Sequence, residues 1–255
     1  MVRSALLWPT QDPLRFVSLI ISLAYTQHRT KTLIIEKLLL ACLKWRQLRH
    51  PNILPLFGAD LSVKDTPTLV QPWIERGNIR DYIYHCNPKP GPSQLLSWLL
   101  DIAQGMKYLH EMGIHHGDLR GNNILLTDTN VPVIADIFMS TFRGEWTITF
   151  PRRKGTFERW LAPESIQAIE PSEKADIFSF GFVCIELFTG EIPFPALSDQ
   201  DVVEKSRRGE IPEKPDNMPE EVWFLAKDCW CSDPAQRPPM IDVVNRLCGA
   251  ERMNS

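Results

Sequence analysis

One short segment of the chain, IHHGDLRGNNILL at residues 114–126, places a carboxylate, a guanidinium group and a carboxamide close together. Arg120 follows Asp118 by two residues, and Asn123 follows it by five. In phosphoryl transfer, a carboxylate orients the attacking hydroxyl group, a cation lies beside the transferred group, and amide oxygens help to bind Mg²⁺. The residue types and their spacing therefore favour phosphoryl-transfer chemistry.

The residues after this segment predict a second oxygen ligand at the same place. Residues 124–126 and 131–135 have the pattern of two short strands, and the residues between them are turn formers. A hairpin of this kind brings its two open ends together, so Asn123 and Asp136 are expected close to Asp118. Such an oxygen-rich pocket suits Mg²⁺, which keeps several waters and takes further ligands from a phosphate.

The rest of the pattern predicts the elements that position this pocket. Strand-like segments at residues 14–25 and 68–73 stand on either side of a helical segment at 33–48. The later part of the chain is mainly helical. Its predicted helices run from Ser93 to a stop at Gly113, and then over 175–189, 199–208, 219–230 and 238–248. A small strand-rich part followed by a larger helical part indicates an α+β fold.

Composition limits the class of protein. A chain of 255 residues with 44% hydrophobic amino acids can bury a large core, and its net charge of −3 gives no reason to expect nucleic acid or an anionic membrane as partner. The six cysteines form no CxxC pair, which is typical of reduced thiols in an intracellular protein. No early apolar run is long enough to span a bilayer. We therefore expect a soluble, cytoplasmic protein.

With these residues in view, the chain resembles the eukaryotic protein kinases, and among them the tyrosine-kinase-like group of Ser/Thr kinases. HGDLRGNN at residues 116–123 resembles the family's catalytic loop, H-R-D-L-x-x-x-N. Further segments resemble family motifs in the family's order: ADIF (135–138) the magnesium-binding D-F-G, GTFERWLAPE (155–164) the end of the activation segment, KADIFSFGFVCIELFTGEIPF (174–194) the long core helix, and DCWCSDPAQRPPM (228–240) the segment whose arginine pairs with the glutamate of A-P-E.

The resemblance implies a bilobal protein-kinase-like fold. A reduced, β-rich N-lobe would occupy residues 1–73, a mainly helical C-lobe residues 74–250, and a short tail residues 251–255. ATP and Mg²⁺ are the implied cofactors. A protein substrate or binding partner is the implied partner, with neither nucleic acid nor membrane.

The resemblance also assigns roles to the residues of the predicted pocket. Asp118, Arg120 and Asn123 would be catalytic, and Asn123 and Asp136 would hold Mg²⁺, so that Asp136 also belongs to the cofactor site. The adenine side would be formed by three further residues: the carbonyl of Pro72, the N–H of Ile74 and the side chain of Leu125 beneath the ring.

Two structural contacts are implied in the larger lobe. Asp176 should accept hydrogen bonds from the backbone around His116 and Gly117 and so fix the catalytic loop from below. Glu164 and Arg237 should form a partly buried ion pair, in which the loss of one partner costs about 3–5 kcal/mol.

Two parts of the family's nucleotide site are missing from the sequence. Kinases cover the phosphates with a glycine-rich loop, but residues 1–57 contain no glycine, and the first sixteen residues are too few for the two strands that carry such a loop. Kinases also pair a strand lysine with a helix glutamate, and the corresponding positions are Ile20 and Ala41. The charged residues nearby are expected to be solvated charges on a helix face: Glu36, Lys31, Lys37 and Lys44.

Two replacements within the matched motifs affect regulation. Gly117 stands where the family has an arginine, so a phosphate on the activation segment would lack its usual docking cation. Phosphorylation at Thr147, Thr149 or Thr156 is then less expected as the on-switch. Phe138 occupies the glycine position of D-F-G and restricts the backbone there.

The sequence leaves three interpretations open. The first is an ATP- and Mg²⁺-dependent protein kinase acting on Ser/Thr hydroxyls with weak activity, and it is preferred because the polar residues of the catalytic loop are retained. The second is a pseudokinase whose larger lobe serves as a protein-interaction or signalling scaffold. The third is an amino-terminally truncated version of an ordinary kinase.

Overall fold

The computed structural model describes residues 5–6, 16–20, 28–60, 68–137, 158–166 and 171–253. Within these ranges the strands and helices are, in chain order, β1 (Ala5–Leu6), β2 (Phe16–Ile20), α1 (His28–Gln47), β3 (Gly58–Asp60), β4 (Thr68–Pro72), α2 (Ile79–His85), α3 (Pro92–Glu111), β5 (Ile124–Leu126), β6 (Pro132–Ile134), α4 (Glu173–Thr189), α5 (Asp199–Arg207), α6 (Glu220–Cys229) and α7 (Met240–Met253).

The small sheet is antiparallel, with the strand order β1-β3-β4-β2. Within the strand predicted at residues 14–25, the described part is β2, which pairs along its whole length with β4 so that Phe16 lies opposite Pro72 and Ile20 opposite Thr68. Before β2 the structure describes the two-residue β1, which pairs with β3 at the other edge of the sheet. No described strand pairs with the outer edge of β2.

The predicted helix at residues 33–48 is confirmed as α1, which begins earlier, at His28. Its buried residues Leu38, Cys42 and Trp45 recur at the spacing of one helix face. Leu40 and Leu43 lie on the opposite, exposed face. α1 is therefore held by one apolar stripe that faces the core.

The connection between α1 and β3 is hydrogen-bonded to the larger part of the molecule. Leu54 donates its backbone N–H to Ile134 O at 2.9 Å, and Ile134 donates to Asn52 O at 2.9 Å. The side chain of Asn52 donates from Nδ2 to Pro132 O at 3.1 Å. Within the small part, Trp45 Nε1 donates to Leu54 O at 2.8 Å and ties the helix to the same connection. The end of α1 is thus fixed against β6.

The larger part is built around α4, in which every residue from 175 to 188 is buried. Ser172 caps its start by accepting a hydrogen bond from Ala175 N. A helix that is apolar on nearly all sides requires neighbours around it. α6 supplies one of them, and α3 packs in turn against α7. A charged residue within this helix needs an internal partner.

The other predicted helices are confirmed with shifted ends, the largest shift being in α7, which continues to Met253. The seven helices and few strands described are consistent with a bilobal kinase fold of the α+β class. None of the helices described here has the length and apolar character needed to cross a membrane. The lobe boundary at residues 73/74 stays a prediction.

Candidate functional site

The predicted hairpin is confirmed. β5 and β6 pair antiparallel, with Ile124 opposite Ile134. Ala135 donates its backbone N–H to Asn123 O at 2.8 Å, which continues the pairing beyond the strands. Asn123 and the neighbour of Ala135, Asp136, therefore lie at the open end of the hairpin.

The residues predicted as catalytic or metal-binding come together at this open end. Asn123 Nδ2 donates to the backbone oxygen of Asp118 at 2.7 Å, which leaves its Oδ1 atom as an acceptor. Arg120 Nε lies 3.5 Å from Asp118 Oδ1. The charge of Asp118 acts on Asp136. One site thus holds two carboxylates, an amide and a guanidinium group.

The electrostatics of Asp136 fit a bound cation. Burial raises the pKa of its carboxyl group, and the negative charge of Asp118 raises it further, whereas His116 and Arg120 lower it. The net effect is a raised pKa, which means that the protein alone does not fully compensate a second negative charge here. A divalent cation would relieve this repulsion. The chemistry of the donor set therefore fits Mg²⁺.

The predicted support of the catalytic loop is confirmed. Asp176, fully buried in α4, accepts hydrogen bonds from His116 N at 2.8 Å and from Gly117 N at 2.6 Å, and His110 Nε2 lies 2.9 Å from its Oδ2 atom. Although burial alone would raise it, the contact with His110 and the backbone hydrogen bond lower the pKa of Asp176. The buried carboxylate thus stays ionised and holds the start of the loop.

Gly117 has a conformational role that the sequence did not reveal. Its φ angle is +67°, in the left-handed region that residues with a side chain adopt at a cost. The sequence showed only that an arginine was missing here. Glycine therefore lets the backbone adopt this φ angle without strain at the residue whose N–H Asp176 accepts.

Glu186 was missed by the sequence analysis, although it lies at the centre of the site's support. It is fully buried in α4, and its Oε2 atom accepts from Gly121 N at 2.7 Å and from Trp160 Nε1 at 2.9 Å. Arg80 Nη1 lies 3.7 Å from Oε1. Burial raises the pKa of this carboxyl group to about 7. The available signal was a lone glutamate inside an apolar run.

Two arginines join the segment at residues 158–166 to the larger part: Arg237 from outside the segment and Arg159 from within it. The predicted ion pair is confirmed: Arg237 Nη1 and Nη2 lie 2.6 and 3.0 Å from the two carboxylate oxygens of Glu164. Arg159, which the sequence analysis missed, donates to Asp199 Oδ1 at 2.5 Å and to three main-chain carbonyls of the loop before α5. The segment is therefore fixed to the larger part at two points.

The residues predicted for the adenine side come from two places: Pro72 and Ile74 from the end of β4 and the residues after it, and Leu125 from β5. Pro72 ends β4, and Ile74 follows two residues later. Ile74 and Leu125 both pack against the small cluster that contains Ala135. The structure thus brings Ile74 and Leu125 to one apolar cluster, which contains the chain neighbour of Asp136, while their roles stay predictions.

The family's lysine–glutamate pair has no counterpart among the described side chains of α1. Ala41, at the glutamate position, is partly buried against the core. Glu36 and Lys44 are exposed, which confirms them as solvated charges. The side chains of Ile20, Lys31 and Lys37 lie outside those described. The same holds for Phe138 and for Thr147, Thr149 and Thr156, the positions where phosphorylation is less expected as the on-switch.

Comparison with known proteins gives a consistent result. A family model described as protein tyrosine and serine/threonine kinase matches residues 20–247. The chain is 32% identical over 206 residues to the serine/threonine-protein kinase STY17 of Arabidopsis thaliana and 32% identical over 202 residues to the serine/threonine/tyrosine-protein kinase HT1 of the same species. It is 30% identical over 200 residues to the dual specificity protein kinase pyk3 of Dictyostelium discoideum.

These alignments cover 79%, 78% and 78% of this chain, in the same order. The family model spans most of the chain, and the motifs and fold agree with it. The protein therefore belongs to the protein tyrosine and serine/threonine kinase family. The aligned region is 35%, 50% and 14% of the length of the three relatives, so the chain corresponds to only part of each.

Proposed function

We propose that this chain transfers the γ-phosphoryl group of ATP to Ser/Thr hydroxyl groups of a protein substrate, with Mg²⁺ as cofactor. The observation that carries the proposal is the cluster of Asp118, Arg120, Asn123 and Asp136 at the open end of the hairpin. Residue types of this kind at one place are what phosphoryl transfer requires, because catalysis there rests on positioning and charge stabilisation.

Each residue of the cluster has a distinct task in this proposal. Asp118 accepts a hydrogen bond from the substrate hydroxyl and orients it. Arg120 screens the charge on the transferred group. Asn123, through Oδ1, and Asp136, through its carboxylate, hold the metal ion. Mg²⁺, when bound, would neutralise charge on the phosphates and fix their position.

The nucleotide base is proposed to lie against the surface formed by Ile74 and Leu125. Leu125 would contact the ring from below, since it packs with the same apolar cluster as Ile74. Proline lacks a backbone donor but keeps its carbonyl, so Pro72 would accept from the adenine amino group. The N–H of Ile74 would donate to the ring.

The rate is expected to be low. α1 carries Ala41 at the family's glutamate position, and Glu36 is exposed. Removal of one preorganised electrostatic partner lowers a rate by about 10²–10³, and kinases turn over at about 1–100 s⁻¹. We therefore expect kcat below about 1 s⁻¹ for this chain.

The test measures phosphate transfer from labelled ATP to a general protein substrate, with the Asp118→Ala variant as the negative control. Wild type should exceed Asp118→Ala by at least about tenfold. Glu36→Gln is the matched control, because this carboxylate is exposed on α1 and should leave the rate unchanged. Equal rates in wild type and Asp118→Ala would refute the proposal.

A melting experiment tests the nucleotide site independently of turnover. ATP at ten times its Kd should stabilise the protein by about 1.4 kcal/mol in Mg²⁺. The shift should disappear in EDTA and in Asp136→Ala. No shift together with no transfer would support the pseudokinase interpretation, which the relatives' names do not favour.

The cytoplasmic location stays a prediction.

A further inference from the structure

Glu186 is an acidic residue that is fully buried within α4. It lies in α4 among residues that are nearly all apolar, and none of its surface is exposed. Burial of an acidic group is costly unless hydrogen bonds or charges compensate it. Its compensating partners therefore indicate what it does.

The partners of Glu186 come from three separate parts of the chain. Gly121 belongs to the catalytic loop, Trp160 to the segment at residues 158–166, and Arg80 to α2. The two donors share the Oε2 atom, at 2.7 Å from Gly121 N and 2.9 Å from Trp160 Nε1. One carboxylate thus joins these segments beneath the candidate site.

The catalytic loop packs closely against Arg80 and Glu186 at Gly121. A Cβ atom at Gly121 would lie 2.9 Å from the Cβ atom of Arg80 and 3.0 Å from Glu186 Oε1, which leaves no room for a side chain. The guanidinium group of Arg120 lies 5.7 Å from the centre of the Trp160 ring, within range of a cation–π interaction. Glu186 is thus connected to Arg120 by two routes. One runs through Gly121, the next residue in the chain, and the other through the ring of Trp160.

We propose that Glu186 is a positioning residue for the transfer reaction, one that sets Arg120 and Asn123 relative to Asp118 by holding Gly121 and Trp160. This inference rests on the proposed kinase function. Glu186 itself does not reach the reacting atoms, because it is fully buried below the loop. Its effect is therefore on kcat rather than on nucleotide binding.

The charge state of Glu186 is part of the inference. Oε1 has no hydrogen-bond partner among the described residues, whereas Oε2 accepts both donors. The charged groups that act on the carboxyl are Arg80 from α2 and Arg120 from the catalytic loop, and burial outweighs both to raise its pKa to about 7. A neutral glutamine therefore reproduces the protonated form and can still accept from both donors.

The experiment compares Glu186→Ala with Glu186→Gln. We expect Glu186→Ala to lower kcat by about 10–100-fold with less than about twofold change in the KM for ATP. Glu186→Gln should keep kcat within about threefold of wild type near pH 6 and lose the wild-type dependence of kcat on pH between about 6 and 8. Equal losses in the two variants, or a loss mainly in KM, would overturn the proposal.

A control separates positioning from general loss of stability. Cys184→Ala removes another buried side chain from α4, one for which no hydrogen bond to the catalytic loop is described. It should lower the melting temperature but leave kcat unchanged at temperatures well below the melt. A loss of kcat in Cys184→Ala as large as that in Glu186→Ala would show that α4 acts only through stability.

Amide hydrogen exchange gives a readout that needs no activity. Exchange in the peptide that contains Gly121 should be faster in Glu186→Ala and unchanged in Glu186→Gln and Cys184→Ala, because only the first loses the acceptor for Gly121 N. Unchanged exchange in Glu186→Ala would refute the inference. If wild type shows no Asp118-dependent transfer, the kinase proposal fails, and the exchange result still decides whether Glu186 holds the loop.

Discussion

On one side of the candidate site, the catalytic loop is held by charged side chains that are fully buried. On the other side, α1 is held by an apolar stripe and by one indole N–H. Asp176 and Glu186 lie in α4 with no exposed surface, and each accepts at least two hydrogen bonds from segments next to the site. Glu36 and Lys44 of α1 are exposed.

The difference separates two tasks that a kinase combines. Geometry between Asp118, Arg120 and Asn123 depends on contacts within the larger part. In the proposed function, a firm hold on the phosphates depends on charges from the smaller part, where α1 has Ala41 at the relevant position. Among the described residues, the contacts that fix the catalytic loop thus come from the larger part, and Ala41 supplies no charge.

The largest expected effect tests the buried charges of the larger part. Arg237→Ala should lower the free energy of unfolding by about 3–5 kcal/mol, because the arginine is almost fully buried and pairs with both oxygens of Glu164. Denaturant unfolding measures the loss. Arg246→Ala is the control, since its pair with Asp228 is exposed and should contribute less than about 1 kcal/mol. Similar losses in both variants would contradict the comparison.

The next effect tests the apolar stripe of the smaller part. Leu38→Ala should cost about 2–5 kcal/mol, since Leu38 is 1% exposed. Leu40→Ala, two residues along the same helix, should change stability by no more than about 0.5 kcal/mol, since Leu40 is 60% exposed. Denaturant unfolding of the two variants measures both changes in stability. A large loss in Leu40→Ala would show that a further contact covers the outer face of α1.

A smaller effect depends on pH and concerns Glu186. Its pKa is about 7 in the folded protein against 4.5 ordinarily, so between these values the folded state keeps a proton that the unfolded state releases. Stability from this group therefore falls as pH rises through this window, by about 1–3 kcal/mol in total. The difference in unfolding free energy between wild type and Glu186→Gln, followed over pH, should show this slope. A constant difference would contradict it.

The smallest effect concerns the backbone of the catalytic loop. Gly117→Ala should destabilise the protein by about 1 kcal/mol, because an alanine at φ +67° is strained. Gly249→Ala in α7 is the control with the opposite sign, since an added methyl group meets nothing within 4 Å and favours the helix by about 0.5–1 kcal/mol. Melting curves of the two variants should therefore shift in opposite directions.

The sequence predicted those parts of the site whose partners are close in the chain or belong to a motif. The hairpin after Asn123 follows from two short strand patterns and a turn, so the convergence with Asp136 could be foreseen. Asp176 and the pair of Glu164 with Arg237 followed from the resemblance to kinases. These predictions needed only a motif and its order.

The parts that the sequence did not predict depend on contacts between distant residues. Gly121 and Trp160 lie 65 and 26 residues from Glu186, and no local pattern shows that they meet. Arg159 donates to carbonyls of the loop before α5, which lie 34 to 38 residues further along the chain, so no local pattern predicts these contacts. The early start of α1 was missed because its first residues, from His28, lack apolar periodicity.

The hydrogen-bonded connection after α1 has a mechanical consequence. Arg49 N donates to the hydroxyl of Tyr108 at 2.9 Å, and the ring of His50 stacks on Tyr108 with centres 5.0 Å apart. These contacts fix the connection, so any swing of α1 would turn about it, with the 20-residue helix as a lever about 30 Å long at 1.5 Å per residue. A swing of about 10° would move the first turn of α1 by about 5 Å, but Ala41 by only about 1–2 Å.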